Sequence, residues 1–203
     1  MDHGAAFATN TALGSMLGIF ATIAWALAYC WSARRGGGLG PSVAAGVVVF
    51  AIVGAAVREL TIGPLALYLA LVVVLVVSIR LIPASLTHYG IHLPRWDLPA
   101  RMVLATALVL AITGSAVVLG PRLAGLLATI PLYASILAGF GHTLAAPAAA
   151  IDVWRGLLFG LFGFGAFYLM LALFLAPLGL AAFGLAVAAA VVMQALTLRV
   201  VTR

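Results

Sequence analysis

Uninterrupted apolar runs of roughly 20 residues recur along this whole chain, and each is long enough to cross the hydrocarbon core of a bilayer as a helix. In lipid every backbone N–H and C=O must be met internally, so only helices and closed barrels cross. A barrel would show short alternating strands, and no such alternation is present. Apolar residues make up 66% of the chain and charged residues 7%. A soluble domain would carry about a quarter charged residues. The expected fold is all-α: a polytopic transmembrane helix bundle, one integral membrane domain over residues 1–203.

The runs divide into seven expected spans: Thr11–Ser32, Pro41–Val57, Pro64–Pro83, Arg101–Leu119, Leu123–Gly141, Ile151–Leu175 and Leu178–Val200. The arginines orient them. Arg34, Arg35, Arg80, Arg95, Arg101, Arg155, Arg199 and Arg203 all fall on one side if the N-terminus is outside, leaving Arg58 and Arg122 opposite. Basic flanks favour the cytoplasm, so the expected topology is N-out, C-in. The expected location is a bacterial inner membrane.

The net charge of +6 does not indicate nucleic acid. The arginines mark segment ends rather than one basic face, and no lysine is present. The N-terminal MDHGAAFATNT lacks a basic n-region and a cleavage site, which argues against a removable signal peptide. The single Cys30 excludes an intrachain disulfide and any CxxC site. ARRGGGLGP, residues 33–41, lacks the Gly-Lys-Ser/Thr ending of a phosphate loop and reads as a flexible linker.

Gly114–His142 is the stretch around which the chain is organised. Two apolar segments meet at Gly120-Pro121, Arg122 follows, and Pro131 interrupts the second segment. An internal echo supports this hairpin. Ala51–Val57 resembles Ala111–Val117, and each is followed by Gly-Pro, at Gly63-Pro64 and Gly120-Pro121. Spans two–three and four–five therefore read as one two-helix hairpin used twice. Ala176-Pro177 marks a third turn.

Pro131 removes the donor that would meet the Leu127 carbonyl. A carbonyl freed in lipid needs protein or water. Thr129, Pro131, Tyr133 and Ser135 are thus the expected lining of a substrate path, with Thr129 and Tyr133 one turn apart on one side. Arg58, Glu59 and Arg122 form the expected outer mouth, where a helix N-terminus favours anions. His142, Asp152 and Arg155 form the expected inner gate, with Arg155 neutralising Asp152.

Small-residue spacing suggests helix contacts. Gly14 and Gly18 lie four apart; Asp152, Gly156, Gly160 and Gly163 form a stripe expected to face protein. Its expected partners are Ala181, Gly184 and Ala188, or Gly125 and Gly139. Trp25, Tyr29 and Trp31 suggest an interfacial aromatic belt. Gln194 suggests an interhelical hydrogen bond. His88 and His92 share a connection between spans but lack a third ligand.

No carboxylate falls near an expected midplane, where proton and sodium pumps need one. No HExxH, GxSxG or acidic cluster is present. The expected function is a small transporter or exporter, facilitator- or channel-like, for a neutral, amphipathic or lipid-like solute, with its path along spans four to six. A non-catalytic membrane subunit or assembly protein is the alternative, and a lipid-acting intramembrane enzyme using His88, His92, His142 and Asp152 the second. The expected partners are the bilayer, the solute and a second copy through the glycine stripes, with no enzyme activity, cofactor, metal or nucleic acid.

Overall fold

A computed structural model describes residues 2–82 and 120–201, with residues 99, 102, 103, 106, 107, 110 and 114 between them. The described residues are helical, with no strand among them. In chain order the elements are α1 (Asp2–Arg34), α2 (Leu39–Val57), α3 (Pro64–Leu81), the interrupted α4 (Gly120–Ala145), α5 (Pro147–Leu178) and α6 (Ala181–Val201). These six are long and apolar enough to cross a membrane. They match expected spans one, two, three, five, six and seven. Most of the expected span four and of the Ala111–Val117 echo, with Arg95, Arg101, Arg203, His88 and His92, lies outside the described residues.

Local chemistry sets the helix ends. Pro64 and Pro147 open α3 and α5, where a missing N–H costs nothing. Gly36 closes α1 at φ +83°, a left-handed conformation that glycine adopts without strain, and the Gly37 N–H reaches the Ser32 carbonyl at 3.0 Å. The expected flexible linker is thus a tight turn. The Ser42 hydroxyl ties it down, donating to Ser32 Oγ at 3.2 Å. α5 does not stop at Ala176-Pro177. It runs through Pro177, one residue short of its last, and is capped at Gly179 with φ +55°.

α1 is the central post. Ser42, Gly46, Phe50 and Gly54 form the buried stripe of α2, and Trp25 lies edge-on to Phe50. A methyl group added at Gly14 would strike the Arg122 carbonyl oxygen; one at Gly125 would strike that of Thr11. The α1 and α4 backbones are therefore in near contact at Gly14, Gly18 and Gly125, as small residues at a membrane crossing permit. α5 covers α1 further round through Trp154, which is fully buried. α6 leans on α5, with Ala182 and Ala186 buried against Leu171 and Leu175.

These contacts set relative directions. Gly14 meets Arg122, Thr22 meets Thr129, and Tyr29 meets His142, so α4 runs parallel to α1. Arg155 meets Ile79 and Gly165 meets Leu71, so α3 and α5 are antiparallel. Tyr29 packs on Trp154, while Ala12 packs with Leu171 and Leu175, so α5 is antiparallel to α1. α3 therefore also runs parallel to α1.

Candidate functional site

The helix break stands where Pro131 places it. α4 is helical over 120–127, turns over 128–131, and resumes at Leu132. Protein groups meet the Leu126, Leu127, Thr129 and Pro131 carbonyls. The Leu127 carbonyl accepts the Ile130 N–H at 3.1 Å. The Leu126 carbonyl accepts the Thr129 hydroxyl at 2.7 Å, and the Thr129 carbonyl accepts the Thr22 hydroxyl of α1 at 2.7 Å. Ser135 turns its hydroxyl back to the Pro131 carbonyl at 2.8 Å. Water is not needed to satisfy these oxygens. Thr129 and Tyr133 do not share a side: Thr129 is 7% exposed against α1, and Tyr133 is 61% exposed. The turn between them rotates the second half of α4, so a count of four residues no longer means one face.

At the expected outer mouth, Arg58 Nε lies 3.0 Å from Glu59 Oε1, with both side chains well exposed. Arg122 opens α4, and its backbone is the part that Gly14 touches.

The expected inner gate draws on the end of α4 and the start of α5. His142 is the second residue of a π-helical turn, Gly141–Ala145, and its Nδ1 lies 3.0 Å from the Tyr29 hydroxyl. π-Turns re-aim side chains and recur at functional positions. Asp152 is not a helix-start residue, because α5 begins at Pro147 and carries no acid in its first turn. Arg155 reaches α3 and donates to the Ile79 carbonyl at 2.9 Å and to the Ile82 carbonyl. A cation meeting the last carbonyls of a helix neutralises its negative end.

Three further expectations change. Trp25 and Tyr29 are buried at 4% and 0%, not in an interfacial belt; only Trp31 lies outside, with Arg35 stacked 3.9 Å above its ring. Trp25, Tyr29 and Trp154 instead form one aromatic cluster with His142. In the stripe on α5, Gly156 is exposed and no atom lies within 4 Å of a methyl group at Gly156 or Gly160. Gly163 alone meets α6, at Ala190 and Gln194, while Ala181, Gly184 and Ala188 face outward.

Two grooves open at the end of the bundle where α1 and α3 finish. One, of about 760 Å³, is lined by Leu27, Cys30, Trp31, Arg34, Arg35 and Leu81 among others. The second, of about 630 Å³, is walled by Val72 and Val76 of α3, Phe159 and Phe162 of α5, and Met193 and Leu196 of α6. Arg80, Arg155 and Thr197 supply its polar edge. Both fall in the size range of small-molecule sites. Arg80 carried only an orientation signal in the sequence, and nothing there pairs it with Arg155. Among the described residues no group of histidine, cysteine and carboxylate side chains is placed to hold a metal.

The described residues define a helical protein with six helices long and apolar enough to cross a membrane. No protein-family model, curated protein or solved structure matches the chain.

Proposed function

We propose that this protein is a small multi-pass transporter that handles an amphipathic or lipid-like solute from the bilayer side rather than through an aqueous pore. The observation that carries this reading is the groove between α3, α5 and α6: an apolar trough with arginine at one end. It moves the path from the Pro131 break to the α3 side of α5. The break argues against a pore there, since protein groups already occupy its backbone oxygens.

The proposed topology has seven spans, N-out and C-in, in a bacterial cytoplasmic membrane. Parallel α3 and α4 support it. The chain leaves α3 at the end where α1 finishes and enters α4 at the end where α1 starts, which favours one further crossing between them. Arg34, Arg35, Arg80, Arg155 and Arg199 then share the basic side.

The test is reconstitution into liposomes and measurement of the transbilayer movement of a fluorescent single-chain amphiphile. Wild type is expected to accelerate it over protein-free vesicles. Val76→Trp, which fills the groove from an exposed position, is expected to abolish the gain. Wild-type vesicles no faster than protein-free ones would remove the assignment.

The alternative, a non-catalytic subunit, draws on a separate observation. Gly156 and Gly160 present an open backbone face that a partner helix could approach closely. A stoichiometric membrane partner lost on Gly160→Leu, with the fold intact, would favour it.

A further inference from the structure

We infer that the groove between α3, α5 and α6 seats an anionic glycerophospholipid, its phosphate at Arg80 and Arg155 and an acyl chain along Val76 and Phe159. This rests on the proposed handling of an amphiphile and names the chemical class of that occupant. The argument is charge complementarity joined to wall chemistry. Two guanidinium groups line the groove, and among the described residues no carboxylate does. Arg155 is held in place before any ligand arrives. One terminal nitrogen bonds two carbonyls at the end of α3, and the Phe159 ring lies 5.5 Å from its guanidinium carbon. A guanidinium has five N–H groups, and these two contacts engage the pair on one nitrogen; its planar fork matches phosphate oxygens. Fixing the side chain in advance lowers the ordering cost of binding. Basic pockets between transmembrane helices on the cytoplasmic side take anionic headgroups. The apolar walls select a lipid over inorganic phosphate, which would leave Val72, Val76 and Leu196 without a partner.

The experiment measures lipid retention by delipidated, detergent-purified full-length protein titrated with dioleoylphosphatidylglycerol or dioleoylphosphatidylcholine, read by native mass spectrometry. One saturable phosphatidylglycerol is expected, preferred over phosphatidylcholine. Arg80→Gln should weaken that preference about fivefold, the worth of one interfacial cation. Arg80 is exposed, so the fold should not depend on it. Arg34→Gln/Arg35→Gln, which empties the other groove of charge, should leave the preference unchanged. Equal retention of the two lipids, an unchanged Arg80→Gln, or the same loss in the Arg34/Arg35 variant would each overturn the site. Selective retention without transbilayer movement would keep the site and remove the transporter. Movement blocked by Val76→Trp but indifferent to Arg80→Gln would do the reverse.

Discussion

At the scale of single residues, the Thr22 hydroxyl is the contact that closes the α4 break. Thr22→Val leaves the buried Thr129 carbonyl without its partner, which should cost about 1–3 kcal/mol. Thermal unfolding in detergent reads the loss. Pro131→Ala restores an N–H and lets α4 continue, so the Thr129 carbonyl regains an intrahelical donor. In the double variant part of the Thr22→Val loss should return; strictly additive losses would show that the two sites are uncoupled. The glycines give a second contrast. Gly18→Ile collides with the Leu126 backbone and should prevent recovery of a monodisperse folded protein. Gly156→Ile enters open space and should be tolerated on size-exclusion chromatography. The sequence foretold the first crossing and misread the second stripe for one reason: spacing shows that glycines share a face, not which way that face turns. Trp25 and Tyr29 fail similarly. An aromatic with a polar edge suits an interface or a buried cluster, and Tyr29 is placed by His142, 113 positions away.

At the scale of elements, the helices themselves were legible because the bilayer demands length and apolarity, and both are written locally. Radial position was not. Lipid and bundle interior are equally apolar, so no polarity contrast marks the inward side of α5 or α6. That is why Ala182 and Ala186, rather than Ala181, Gly184 and Ala188, became the seam. The Pro131 interruption was legible, since proline breaks a helix wherever it stands; the agents that close it come from α1 and were not. α3 depends on α5 for its terminus. Arg155→Gln should free the Ile79 and Ile82 carbonyls, a loss of about 1.5–3 kcal/mol for bonds to a charged donor. Hydrogen exchange should then quicken over the last turn of α3 while the middle of α1 stays protected. Unchanged exchange there would mean that the α3 end is held by other groups.

At the scale of the whole molecule, the proposed orientation is checked with an impermeant maleimide on intact cells, after Cys30→Ala removes the native thiol. Leu60→Cys and Leu180→Cys are expected to react from outside, and Gly38→Cys only after permeabilisation. Arg80→Cys and Arg122→Cys should report opposite faces, which tests the crossing between α3 and α4. Labelling of both from one face would refute it. The central place of α1 carries a consequence for assembly. Its membrane-spanning window is 72% buried, yet it precedes every helix that buries it. In a bare bilayer α1 would meet lipid with its polar side chains uncovered. Two of them need no neighbour: the Thr11 hydroxyl donates to the Phe7 carbonyl at 2.9 Å and Thr22 to Gly18 at 3.1 Å, within their own helix. Thr22 thus holds a provisional partner until α4 arrives and offers the Thr129 carbonyl, which lowers the cost of its waiting in lipid.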